Sequence, residues 1–289
     1  DDRVMVRGPE LQNAAGDGPA SGPAFGKPQI VELPRDRRFA SISSSVPMGA
    51  LADSGELWIW GDVFLYGPVK EVVEVPLEWP WLYPAPAPVR MVSERSRCFL
   101  TIAGEVYCYG GNRLLGVEGK GGQLEPKRIE LEGATWLTEG ESGHACAVLQ
   151  AGDVWCWGNN AFGAVGIPQQ EMDLVLAPIK VEGIPPMDKV YGGLGTTCAL
   201  TAGGRAWCWG IPWSGAPSAD PPIEWQPELQ FTQLAVGYFS VCGLVADGRV
   251  TCRGETKGCG DVAGNCFVPI EETMATIEPW PDFDYASVP

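Results

Sequence analysis

The sequence predicts an all-β protein, a β-propeller built from four-stranded antiparallel blades. Three observations predict it. A segment of about fifty residues recurs five times. Eight of the ten cysteines stand in pairs of one fixed spacing, Cys-x9-Cys, inside that segment. The 38 Gly and 26 Pro in 289 residues are more than helices tolerate and suit many short strands joined by turns. Apolar residues make up 45% and charged residues 19%, a globular composition with ample length for a buried core.

The elements follow in chain order. An N-terminal segment, 1–27, holds one strand-like run, Arg3-Val4-Met5-Val6. Five repeats then occupy about 28–61, 62–110, 111–158, 159–210 and 211–254. They end on Gly55-Glu56-Leu57-Trp58-Ile59-Trp60-Gly61, Gly104-Glu105-Val106-Tyr107-Cys108-Tyr109-Gly110, Gly152-Asp153-Val154-Trp155-Cys156-Trp157-Gly158, Gly204-Arg205-Ala206-Trp207-Cys208-Trp209-Gly210 and Gly248-Arg249-Val250-Thr251-Cys252-Arg253-Gly254. Within 159–210 the run Ala177-Pro178-Ile179-Lys180-Val181 and the run Lys189-Val190-Tyr191 read as two strands. The cysteine hairpin supplies two more, which makes the four strands of a blade. Alternation along the last strand sends Trp207 and Trp209 to one face and Cys208 to the other, so both faces are apolar, as a blade between two neighbours requires. Trp58, Trp60, Trp155, Trp157, Trp207 and Trp209 are therefore assigned to the core. The closing segment, 255–289, holds the runs 267–270 and 274–277. Together with the N-terminal run it predicts a sixth blade shared by the chain ends, which would leave no free edge.

The cysteines fit the same hairpins. If Gly203 centres a hairpin, residues whose numbers sum to 406 face each other, and Cys198 and Cys208 do so. The predicted bridges are Cys98 with Cys108, Cys146 with Cys156, Cys198 with Cys208, and Cys242 with Cys252. A fifth, Cys259 with Cys266, has the different spacing Cys-x6-Cys. The first repeat carries Gly49 and Ile59 at the two cysteine positions, so the pair is lost together. Cys-x2-Cys spacing is absent and His144 is the single histidine, so no metal site is expected. An even number of locally paired cysteines points to an oxidising compartment: extracellular, cell-surface or periplasmic. Asp1-Asp2-Arg3 opens the sequence, and the expectation is that a signal peptide has been removed.

The run Gly158-Asn159-Asn160-Ala161-Phe162-Gly163-Ala164-Val165-Gly166, with the shortened Gly110-Gly111-Asn112-Arg113-Leu114-Leu115-Gly116, resembles the regulator-of-chromosome-condensation repeat family. The resemblance spans about residues 28–254 and implies a propeller. The family usually has seven blades, more than the five repeats found. Its namesake sits on chromatin and exchanges nucleotide on a small GTPase. That role does not carry over on the repeat alone, because a propeller serves many functions. The formal charge here is 20 − 36 = −16, which repels phosphate backbones and argues against nucleic acid.

Catalytic signatures are scarce. There is no Gly-x-Ser-x-Gly, no P-loop and no dinucleotide fingerprint, so neither an enzyme nor a cofactor is expected. His144 stands where sister repeats have Ser96, Thr196 and Ser240, and reads as a polar strand residue with a local hydrogen bond. No run approaches the ~18 apolar residues of a membrane span. The better lead is the rim. The chain leaves each Trp-Gly strand on the side opposite the tight hairpin turns, into the unequal connections 62–88, 111–127, 159–177 and 211–228. These hold the aromatics outside the repeat pattern: Trp79, Trp81, Tyr83, Phe162, Trp213 and Trp225. Such rings make anchors for a protein partner, the expected function, or stacking platforms for a glycan, as in a lectin-like propeller.

Overall fold

A computed structural model describes residues 4–6, 29–31, 33–34, 36–43, 48–66, 72–93, 95, 97–111, 114, 122–168, 171–210, 221–237, 240–256 and 268–275. Strands β1 (Val4–Val6) and β2 (Gln29–Val31) form a two-stranded sheet. Five four-stranded antiparallel blades follow. The first is β3 to β6 (Phe39–Ser43, Met48–Ala52, Leu57–Tyr66, Val72–Leu82). The second is β7 to β10 (Val89–Val92, Cys98–Thr101, Val106–Gly111, Gly122–Ile129). The third is β11 to β14 (Ala134–Glu139, His144–Leu149, Val154–Asn159, Leu174–Lys180). The fourth is β15 to β18 (Lys189–Gly192, Thr196–Leu200, Ala206–Gly210, Ile223–Trp225). The fifth is β19 to β22 (Phe231–Val236, Ser240–Val245, Val250–Thr256, Val268–Ala275). Among the described residues no helix is long and apolar enough to cross a membrane.

The blade is offset from the sequence repeat by one strand. Strand β14 lies in the fourth repeat but pairs with β13 of the third blade. The chain leaving a Trp-Gly strand first returns beside it, covering its open edge, and only then starts the next blade. By the same rule Val268–Ala275 pairs with β21 and completes the fifth blade. This corrects its expected place in a sixth blade shared by the chain ends: among the described residues no pairing joins those ends.

Each junction between blades repeats two contacts. The hairpin glycine gives its carbonyl to the start of the next inner strand: Gly55 O accepts from Val89 N (2.9 Å), Gly104 O from Ala134 N (3.0 Å), Gly152 O from Met187 N (2.8 Å) and Gly204 O from Phe231 N (2.7 Å). Gly204 sits at φ +84°, and a Cβ there would lie 2.7 Å from the Phe231 carbonyl oxygen, so only glycine fits. The second contact is an apolar seam. Cys198, Leu200, Ala206 and Cys208 of the fourth blade pack with Phe231, Leu234, Val241 and Val245 of the fifth.

The cysteines of four hairpins are bonded as expected: Cys98 to Cys108, Cys146 to Cys156, Cys198 to Cys208, and Cys242 to Cys252. Each pair is directly opposed in register. Their place is structural, within the seams. Cys146 and Cys156 are fully buried and pack with Val190, Ala199 and Trp209 of the fourth blade. Cys259 and Cys266 lie outside the described residues. The six repeat tryptophans divide into two classes. Trp60, Trp157 and Trp209 are buried, whereas Trp58, Trp155 and Trp207 are half-buried. The buried members face the preceding blade. Trp157 Nε1 donates to the Leu114 carbonyl (3.0 Å) and Trp209 Nε1 to the Ala164 carbonyl (2.9 Å).

Candidate functional site

The four connections that leave the Trp-Gly strands share one rim, because every third strand runs away from its tight hairpin turn. Their structures differ. The first is largely strand rather than loop. Beyond Gly61, β5 and β6 continue as a ribbon with Asp62↔Pro76, Val63↔Val75, Phe64↔Glu74, Leu65↔Val73 and Tyr66↔Val72. β-Branched and aromatic residues, Val63, Phe64, Tyr66, Val72, Val73 and Val75 among them, favour this pairing.

The third connection is ordered by one side chain. Asn160 is buried. Its Nδ2 donates to the carbonyls of Ile167 (3.2 Å) and Met172 (2.7 Å), and its Oδ1 accepts from Val165 N (3.2 Å). The Ala164 carbonyl accepts from Trp209 Nε1 and from Thr197 Oγ1 (2.8 Å), which ties this loop to the fourth blade. Between these anchors, in the short 3-10 turn Ala161–Gly163, Phe162 adopts φ +66°, ψ +15°. A bulky residue in the left-handed region costs about 1 kcal/mol or more, so the surrounding hydrogen bonds impose it. Phe162 is 43% exposed, and Met172 on the same loop is 48% exposed. Met172 is not aromatic, so the ring pattern did not include it. Its signal was an apolar side chain within the polar run Gln169-Gln170-Glu171-Met172-Asp173.

The other expected anchors fare differently. Tyr83 is buried, stacked on Tyr109 (centroids 4.7 Å) and edge-on to Phe99 (5.7 Å) in the seam of the first two blades. Trp225 is buried too, stacked on Phe231 at 4.8 Å. Both close a blade junction, because they end an outer strand where the next inner strand begins. They are core residues, not surface anchors. Trp81 is 39% exposed, but it lies opposite Ile59 on the outer strand, toward the hairpin rim. Trp79 belongs to β6, and its side chain lies outside the description, as does all of Trp213. Of the four whose side chains are described, Phe162 is the one exposed on the long-loop rim.

A cavity of about 390 Å³ opens among the inner strands of the first three blades, beside Ile42, Arg90, Met91 and Trp136. The Arg90 guanidinium there is engaged by the Ala134 and Thr135 carbonyls (3.2 and 3.0 Å), and the Trp136 Nε1 by the Val190 carbonyl (2.9 Å). The Arg90 Nη2 and the Trp136 Nε1 are thus turned to backbone carbonyls rather than to the cavity.

His144 is fully buried. Its Nε2 faces Thr197 Oγ1 at 3.0 Å and its Nδ1 faces Ser142 Oγ at 2.8 Å. Thr197 spends its proton on Ala164, so Nε2–H donates to the Thr197 oxygen and Nδ1 accepts from Ser142: a neutral ring. Burial lowers its pKa to about 4. The charged form is disfavoured in the fold while the unfolded histidine titrates near 6.5. Stability is therefore full above pH 6.5 and falls as pH drops toward 4, by roughly 3 kcal/mol from this group. A His144→Gln variant should lose that slope in urea unfolding across this window. An unchanged slope would contradict the assignment.

Among the described residues no group of three or more His, Cys, Asp or Glu side chains could hold a metal ion.

Residues 142–164 match the family model described as the regulator of chromosome condensation (RCC1) repeat. Comparison with curated proteins by sequence finds no match. Among solved structures, the chain is similar to yeast RCC1 (Prp20) in its crystal structure with Kap60, at TM-score 0.65 and 18% identity over 78% of this chain and 60% of that one. It is similar to Prp20p from Saccharomyces cerevisiae, in a structure reported with binding properties to Gsp1p and histones, at TM-score 0.67 and 18% identity over 85% and 67%. It is also similar to human WBSCR16, at TM-score 0.64 and 20% identity over 79% and 66%. The chain spans less than two thirds of the first of these structures. At this identity the likeness is one of fold: an all-β propeller of the RCC1 repeat type.

Proposed function

We propose that this RCC1-type propeller is a non-enzymatic extracytoplasmic protein that binds a protein partner through its long-loop rim. The observation that carries the reading is Phe162, an aromatic ring held exposed in a left-handed conformation by buried hydrogen bonds on both sides of it. A rigid, exposed ring loses little entropy on binding, which is the physical basis of an anchor. Met172 on the same loop is exposed as well, and the paired stretches 62–66 and 72–76 of β5 and β6 lie on the same rim. The net charge of −16 suits a partner with basic patches and mainly speeds encounter. Kap60 bound to yeast RCC1, and the binding of Gsp1p and histones by Prp20p, supply precedent that propellers of this fold bind proteins. Four disulfides support an oxidising compartment, and the buried, neutral His144 leaves no exposed histidine for acid–base catalysis.

The test is affinity capture with the purified protein from the native extracellular fraction, run beside a glycan array. A protein captured by the native chain and lost with Phe162→Ala supports the reading. Glycan binding with no captured protein would replace it with the lectin reading.

A further inference from the structure

The connection from β7 to β8 is pinned at both ends. Ser93 N–H donates to the Cys98 carbonyl (2.9 Å), and Cys98 N–H donates to Ser93 Oγ (3.2 Å). Both flanks then grip one group of the next blade: Ser93 Oγ and the Arg97 guanidinium donate to the buried Glu139 carboxylate. Arg95 stands between them, in the turn itself. Strand β8 runs from Cys98 toward its hairpin turn, so this connection lies on the long-loop rim, the rim of Phe162.

Two arginines meet one carboxylate here, and Arg97 takes it. Its Nε lies 2.6 Å from Glu139 Oε1, and a second guanidinium nitrogen pairs with the same oxygen. The Arg95 Nε is 4.0 Å from Oε1, beyond hydrogen-bond reach, and it is buried with no acceptor among the described residues. Among those residues Glu139 is also the one carboxylate within 4.0 Å of Arg95. The Arg95 side chain is 26% exposed. With Nε buried, the two Nη nitrogens are the part of the guanidinium that a ligand can reach. The fold itself does not require a cation at this place. The corresponding connections, Gly140-Glu141-Ser142-Gly143 of the third blade and Gly193-Leu194-Gly195 of the fourth, close on backbone hydrogen bonds with no arginine in them. The contact with Glu139 accounts for Ser93 and Arg97 and leaves Arg95 without a structural task.

We propose that Arg95 takes a carboxylate of the protein partner, an Asp or Glu side chain, on its two Nη nitrogens. This rests on the protein-binding reading of the rim and names the chemistry at one point of it. The planar fork of a guanidinium matches the two oxygens of a carboxylate, a geometry that an ammonium does not reproduce. The turn is already held by Ser93 and Arg97, so little backbone freedom is lost on binding. The net charge of −16 attracts basic patches from a distance. Arg95 acts at contact: it fixes the register by requiring an acidic residue opposite it, and it rejects a basic one.

The test pairs Arg95→Gln with chemical blocking of the carboxylates of the captured partner by amidation. Arg95→Gln should weaken binding of the untreated partner about tenfold, with the urea-unfolding midpoint unchanged. Amidation of the partner should weaken its binding to the native chain by at least as much, and its binding to Arg95→Gln by clearly less, since the pair is already broken. If Arg95→Gln shifts the unfolding midpoint, Arg95→Lys takes its place; it keeps the charge without the fork and should weaken binding severalfold. Equal losses on amidation for the native chain and the variant would overturn the proposal. Unchanged affinity for the Arg95 variants, with a loss for Phe162→Ala, would overturn it while the rim reading stands. Unchanged affinity for the Arg95 variants and for Phe162→Ala alike would overturn both.

Discussion

Trp157→Ala is expected to destabilise the protein by about 3–5 kcal/mol, the range for emptying an aromatic site in a packed core. The ring is fully buried in the seam of the second and third blades, among Leu100, Leu114, Leu131 and Ala147. Of these, Leu100 and Ala147 belong to two sheets already fixed by their own ladders, so they cannot collapse into the space. The Leu114 carbonyl also loses its indole donor. Trp155, two residues earlier on the same strand, is half-buried and should cost clearly less on truncation. Urea unfolding of the two variants checks this, and equal losses would contradict the division of the repeat tryptophans into two classes.

Glu139→Ala should cost a similar amount for a different reason. The carboxylate ends the inner strand of the third blade with its side chain fully buried. It accepts from Ser93 Oγ (3.0 Å) and Arg97 Nε (2.6 Å), both contributed by the second blade, and pairs with a second guanidinium nitrogen of Arg97. Arg97 is only 16% exposed, so removing Glu139 strands a largely desolvated cation, a loss of about 3–5 kcal/mol. The effect should survive high salt, because burial shields the pair from counterions. In a double-mutant cycle, Arg97→Ala added to Glu139→Ala should cost much less than it does alone. Additive losses would show that the two groups are not coupled.

Much of the fold was legible from spacing. Cys198 and Cys208 sum to twice Gly203, so a hairpin centred there opposes them, and the same arithmetic holds for each Cys-x9-Cys pair, Cys146 and Cys156 about Ala151 among them. Strand alternation separated the two faces at Trp207, Cys208 and Trp209. It could not say that Trp209 also reaches the loop of the preceding blade, because that contact spans 45 residues. The Glu139–Arg97 pair was invisible for the same reason: its members sit 42 residues apart on different sheets. The phase of the blade was misread because a sequence repeat has no natural starting point, whereas a sheet does. The candidate site was less legible than the fold. Tyr83 and Trp225 stand in connections that look like loops, yet each ends an outer strand at a junction, and only the position of the next blade shows that they are buried. Phe162 stands out in the sequence as an aromatic outside the repeat pattern, within the connection 159–177, but its left-handed backbone depends on Asn160 and Trp209, which no local pattern reveals.

The central claim is that the long-loop rim binds a protein partner. Its most direct test is the affinity of paired rim and hairpin variants for the captured partner. Phe162→Ala should weaken binding at least tenfold, about 1.4 kcal/mol. Asp153→Ala and Arg205→Ala, next to the hairpin glycines on the opposite rim, should leave the affinity unchanged. Unchanged affinity for Phe162→Ala with a loss at Asp153 or Arg205 would place the site on the hairpin rim and contradict the account.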